Sequence, residues 1–298
     1  HAAGQALMID RRTWTAATLA TLARPGTGRA ADAPAGGSGN ILHVPFLVAE
    51  TGFDSVRVSD LYSKTVISHI FEALYRYDHL AMPVKIKPLT AAALPEVSSD
   101  FKVWTVRVRP GIYFADDPAF KGKKRELVAQ DYVYTIKRYF DPATLSPGYS
   151  SIAEDGLIGL DELRTAALKN KTPFDYDREV EGLRALDRYT LQFRLKEARP
   201  RFLESSLCNS GDYAAVAREV VEFYGDAIPA HPVGTGPYRL KSWRRSSRIV
   251  LERNPSFREM LYDAEPNADD VQGQAWAKKF KGRRLPFNDG VEIQILEE

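Results

Sequence analysis

Apolar and polar residues alternate most regularly over residues 102–109. Trp104, Val106 and Val108 fall on one face and Thr105, Arg107 and Arg109 on the other, the period-two pattern of a half-buried strand. Pro110-Gly111 should turn the chain, with Ile112-Tyr113-Phe114 resuming as a partner strand. Residues 190–195 alternate in the same way through Leu191, Phe193 and Leu195. Shorter strand patterns lie at residues 40–46, 248–253 and 291–296. Between them the period changes. Ile67, Ile70, Phe71 and Leu74 follow i, i+3, i+4, i+7, which predicts a helix over 60–77 capped by Asp60 or Ser63. Val133, Ile136 and Phe140 predict an inward helix face over 129–140, stopped by Asp141-Pro142. Further helices are expected around 160–168 and over 213–224, the latter closed by Gly225. Strands and helices mixed along the whole chain imply an α/β architecture.

Composition adds limits. At 298 residues with 44% hydrophobic and 27% charged positions, the chain can bury a substantial core. A net charge of +2 gives no global field toward nucleic acid or an anionic membrane, and no nucleic-acid partner is expected. The one cysteine, Cys208, cannot pair within the chain and reads as a small buried hydrophobe.

Residues 1–39 read as an address. Met8-Ile9-Asp10-Arg11-Arg12 is a charged start, residues 13–23 are a small-residue Thr/Ala/Leu stretch, and residues 24–39 are a linker rich in Pro, Gly, Ala and Ser. That order describes an export signal, and the apolar stretch is shorter than the ~20 residues that span a bilayer. Arg11-Arg12 points to the twin-arginine route, although Asp10 precedes the pair and threonines fill the apolar stretch. The expected location is the periplasm, without a lipid anchor, since no cysteine lies near the start.

Candidate chemistry is sparse. The sharpest motif, His231-Pro232-Val233-Gly234-Thr235-Gly236-Pro237-Tyr238, lacks the Gly-Lys-Ser/Thr of a phosphate loop, and Pro237 removes a backbone donor. It reads as a tight turn feeding a strand. The histidines (His1, His43, His69, His79 and His231) have no second ligand at metal spacing, and no Gly-x-Ser-x-Gly nucleophile motif is present. Asp116-Asp117 and Asp269-Asp270 read as surface turns. The run Lys278, Lys279, Lys281, Arg283 and Arg284 reads as a solvated connector. No catalytic residue, metal or cofactor is expected, and binding is favoured over catalysis.

Several segments resemble the family 5 extracellular solute-binding proteins. They are Ile70-Phe71-Glu72-Ala73-Leu74 with Tyr77-Asp78, Trp104 through Phe114, Val128 through Arg138 with Asp141-Pro142, Gly182 through Leu191, and Pro232 through Tyr238 with Trp243 and Arg253-Asn254-Pro255. They occur in the family's order across residues 40–296. Val128 stands where the family has Thr or Ser, and Gln130 where it has Glu. Insertions at 117–125 and 143–178 suggest a divergent branch and leave the ligand class open. The resemblance implies a class II periplasmic-binding-protein-like mixed sheet with flanking helices. Mostly the first lobe would be present over residues 40–298, with a subdomain around 117–180 and a final strand leading to an absent second lobe.

It also implies a monomeric, non-enzymatic substrate-binding component of an ABC importer, which takes a peptide or similar solute to an inner-membrane permease. Glu50, Thr51, Gly52 and Phe53 are the ligand-facing residues it implies. Two alternatives stay open: an exported hydrolase whose catalytic residues lie elsewhere, and a chaperone-like periplasmic binder.

Overall fold

Two four-stranded sheets carry the architecture. The computed structural model describes residues 39–208 and 211–296, so the export-like segment lies outside the described residues. The first sheet has the order β1-β10-β9-β8, built from β1 (Ile41–Phe46), β8 (Tyr238–Arg244), β9 (Arg248–Arg253) and β10 (Gly290–Ile295). β1 and β10 run parallel from Ile41 beside Gly290, and the other pairs are antiparallel. The second sheet, β4-β5-β7-β6, is antiparallel throughout: β4 (Glu96–Val97), β5 (Val103–Arg107), β6 (Leu183–Ala185) and β7 (Thr190–Arg194). A small pair, β2 (Tyr75–Tyr77) and β3 (Ile86–Pro88), lies apart.

The helices are α1 (Leu61–Ile70), α2 (Ala129–Phe140), α3 (Tyr149–Ala153), α4 (Leu160–Asn170), α5 (Arg218–Tyr224) and α6 (Val271–Phe280). Each sheet has its own apolar core, one around Trp104, Val106, Leu191 and Phe193, the other around Ile67, Ile249, Leu251 and Ile293. Because α2 serves both, with Tyr134 in the second core and Tyr132, Ile136 and Phe140 in the first, every residue of it except Gln130 is buried. A helix enclosed on all sides must satisfy its charges internally. Lys137 donates to the carbonyls of Tyr176 and Arg178 at 2.8 and 2.7 Å, and burial pushes its pKa down. Asp131 accepts from the Val128 amide at 2.8 Å and from Arg125, the half of a capping box that does not depend on the side chain at Val128.

Four expectations need correction. The first helix ends at Ile70, not Tyr77. Phe71 is extended and Tyr75–Tyr77 is a strand, because the glycine-rich segment closes on the helix end: Gly236 donates its amide to the Ile70 carbonyl at 2.8 Å, satisfying an acceptor the helix leaves open. Residues 112–114 do not pair with β5, whose edges are taken by β4 and β7. Pro110-Gly111, with Gly111 at φ +80°, sends them instead against residues 125–127. Residues 213–217 are not helical. They run as buried chain, with the Val216 amide donating to Thr135 Oγ1 at 2.8 Å. The basic run is a connector only in part: Lys278 and Lys279 lie in α6, capped by Asp270, and Lys281, Arg283 and Arg284 follow in an exposed turn.

Candidate functional site

The segment between β1 and α1 joins an exposed apolar rim to a tightly bonded footing. Leu47, Val48 and Leu61 are 66%, 58% and 75% exposed, and Thr51 and Ser59 also face solvent. Behind them the polar groups are tied to one another. Thr51 donates its hydroxyl to Asp60 Oδ2 at 2.5 Å, and its amide donates to Ser63 Oγ at 2.9 Å. Asp60 Oδ1 accepts the Ser63 amide at 2.7 Å as the cap of α1. Burial alone would raise the Asp60 pKa, but the hydrogen bonds from Thr51 and Ser63 outweigh it and hold the carboxyl below its ordinary value. Asp60→Ala is expected to cost ~1 kcal/mol through the lost cap, read from denaturant unfolding. Since the folded-state value is depressed, the stabilisation from this carboxylate is complete above pH 3.8 and fades as the pH falls through the lower folded value.

Of the four residues implied by the resemblance, Thr51 alone reaches the surface. Glu50 is buried: its Oε1 accepts from Trp243 Nε1 at 2.5 Å and from the Ser246 amide at 3.1 Å, while Oε2 is buried without a partner. Gly52 is buried at φ +150°, and a Cβ there would stand 3.0 Å from Pro229 Cβ. Phe53 is fully buried, its ring 4.8 Å from that of Trp243 and its amide bonded to the Pro229 carbonyl at 2.9 Å. Asp54, next in line, pairs with Arg138 through two bonds of 2.9 and 2.7 Å, both groups buried. Burial works against the Arg138 charge, but Asp54 raises its pKa above the ordinary value. The segment is thus a fixed frame that turns a few apolar side chains, Thr51 and exposed backbone outward. The cap at Asp60 is the one expected from the sequence, whereas the exposed Leu47, Val48 and Leu61 carry no sequence signal of their own.

The glycine motif proves structural. Thr235 Oγ1 donates to Glu72 at 3.0 Å, and Arg258 grips the same carboxylate through bonds of 2.7 and 3.0 Å. Asn254 Nδ2 donates to the Gly236 carbonyl at 2.9 Å. A recess of about 100 Å³ is lined by residues that include Asp155, Arg199, Ser206 and Tyr213. Burial raises the Asp155 pKa, yet Tyr213, Ser206 and Arg199 already engage that carboxylate. Burial also pushes the Cys208 thiol up to about 12, which leaves it a poor nucleophile. Among the described residues, no three His, Cys, Asp or Glu gather as a metal site, and no helix is long and apolar enough to cross a membrane.

The chain belongs to the bacterial extracellular solute-binding proteins, family 5, whose middle-region model matches residues 85–298. It is 30% identical over 257 residues to the periplasmic oligopeptide-binding protein OppA of Salmonella typhimurium, covering 84% of this chain and 43% of that protein. Di/tripeptide-binding protein 2 of Pseudomonas aeruginosa is 24% identical over 219 residues, 70% of this chain and 37% of that protein. Among solved structures, Haemophilus influenzae OppA in complex with RPPGFSPFR superposes with a TM-score of 0.65 at 21% identity, over 88% of this chain and 43% of that one. The chain therefore spans less than half the length of the curated relatives it matches.

Proposed function

We propose that this chain is part of the substrate-binding component of an ABC importer, an exported, monomeric, periplasmic protein that captures a peptide and passes it unmodified to an inner-membrane permease. The observation that carries the reading is the rim over residues 47–61. Its outward side offers Leu47, Val48, Thr51 and Leu61, and its position is fixed by Asp60, Ser63 and the buried footing of Glu50, Gly52 and Phe53. A fixed backbone with exposed aliphatic side chains suits an extended peptide, recognised through its main chain and alternate side chains. Thr51 is the ligand-facing member of the four, and Glu50, Gly52 and Phe53 set its position. The names of the relatives, oligopeptide-binding and di/tripeptide-binding proteins, support the same ligand class.

Calorimetric titration of the intact protein with short peptides tests this reading. Saturable binding without peptide cleavage is expected. Tighter binding of an unfolded protein than of any short peptide would favour a chaperone-like role, and cleavage would make the protein a hydrolase. Leu61→Asp should weaken peptide affinity by on the order of tenfold while leaving the unfolding midpoint in place, since the side chain is 75% exposed.

A further inference from the structure

We propose that the C-terminal end of α6 and the turn after it form a docking surface for an anionic phospholipid membrane. Five basic residues, Lys278, Lys279, Lys281, Arg283 and Arg284, lie within seven positions and are all exposed. Among the described residues, none of the five has a carboxylate within ion-pair distance, whereas basic residues facing the same hairpin are matched: Arg76 and Lys87 reach Asp263, and Lys85 and Lys87 reach Glu265. Of the other acids in residues 255–290, Asp269 and Asp270 stand at the opposite end of α6, where Asp270 is spent on the cap, Asp289 pairs with Arg253, and the exposed Glu259 makes no ion pair with the five. Positive charge is therefore concentrated at one end of α6 without a direct ion pair.

The charges rest on a firm aromatic base. Trp276 stacks on Phe280 at 5.5 Å with 6° between the planes, and Phe280 packs against Phe287 at 4.9 Å. Lys279 lies 5.2 Å from the Trp276 and Phe280 rings, and Arg283 lies 5.1 Å from Phe287. Backbone bonds from Tyr262 to Arg283 and from Leu285 to Met260, 2.9 and 2.8 Å, hold the turn to the preceding strand-like segment. Along α6, Gly273, Ala277 and Phe280 face inward, while Val271, Ala275 and Lys278 form an outward stripe at i, i+4, i+7 with Trp276 at its flank. Val271 is 81% exposed.

Exposed Val271 and Ala275, a flanking tryptophan and a cluster of Lys and Arg at one end suit a helix that lies in the headgroup layer. Charge complementarity names the occupant as an anionic lipid surface, which needs no matching shape from a partner. The assignment stands whichever solute the protein carries.

Co-sedimentation of the intact protein with phosphatidylcholine vesicles, with and without phosphatidylglycerol, tests the assignment. Binding is expected to the mixed vesicles at low ionic strength, and loss at raised salt. The combined variant Lys278→Gln, Lys279→Gln, Lys281→Gln, Arg283→Gln and Arg284→Gln should lower binding by more than about tenfold, since each basic residue near an anionic surface is worth roughly fivefold. Its unfolding midpoint should not move. A control, Lys121→Gln with Lys123→Gln and Lys124→Gln, removes an exposed basic run elsewhere and should leave binding unchanged. No binding to the mixed vesicles, or equal loss in both variants, overturns the assignment. Binding to polyglutamate but not to vesicles also overturns it, and gives the face to an acidic protein segment instead.

Discussion

Replacing Arg138 by alanine is expected to destabilise the protein by about 3–5 kcal/mol, a large share of the 5–15 kcal/mol that holds a typical domain together. The reason lies in what remains. Asp54 would stay buried with its two guanidinium bonds gone, and Arg57, at 3.6 Å and a third exposed, is a poor replacement. The cost comes from stranding a charge, so removing both charges should be milder than removing one. Arg138→Met combined with Asp54→Asn is accordingly expected to be more stable than Arg138→Ala alone. Urea unfolding of the three proteins checks this. A single-variant cost below ~1 kcal/mol would mean that water reaches the pair and that it does not anchor the frame. Because Asp54 follows Phe53 directly, the same substitution should also loosen the rim and weaken peptide binding.

The second large effect is expected from Gly234→Ala. A Cβ on Gly234 would sit 2.1 Å from the Ile70 carbonyl oxygen and 2.7 Å from its carbon, and backbone atoms cannot step aside as a side-chain tip can. The segment would have to lift from the end of α1, giving up the Gly236 amide bond to Ile70 and the contact of Thr235 with Glu72. A loss of about 3 kcal/mol, the upper end of ordinary overpacking, is expected, visible as a lowered melting temperature or as failure to accumulate folded protein. Gly225→Ala makes a useful contrast. Gly225 has φ +51° but nothing within 4 Å of its Cβ position, so its cost should be the smaller one of a strained backbone alone.

These two residues also mark where the sequence was legible. Period alone identified β5, α2, β7 and β9, because each has one clear apolar repeat and a bounded length. It overran α1, since the apolar positions of Phe71 and Leu74 continue the helical spacing although the chain has already turned extended. What ends the helix is a glycine segment more than 160 positions away, and no local pattern carries that information. The run at 213–217 misled for a related reason: a short apolar stretch buried on all sides has no preferred period. The segment 231–238 reads in sequence as a tight glycine turn, but Gly234 and Gly236 have no positive φ; glycine is needed there because the Ile70 backbone lies against both positions.

The site was legible to a similar degree. The stretch 50–53 was placed at the end of the first strand, yet period and motif could not separate Thr51, which faces solvent, from Glu50, whose carboxylate is taken up by Trp243 some 190 positions later. The exposed rim residues Leu47, Val48 and Leu61 look like core residues in any sequence. Only their position over a filled interior makes them a surface.

Hydrogen exchange of the intact protein with and without a saturating peptide tests the central claim most directly. Slower exchange is predicted for amides over residues 47–52 and 58–63 when peptide is bound, with α6 unchanged. If bound peptide left those amides as fast as before and slowed only amides elsewhere in the described residues, the rim would not be the ligand-facing edge and the account would be contradicted.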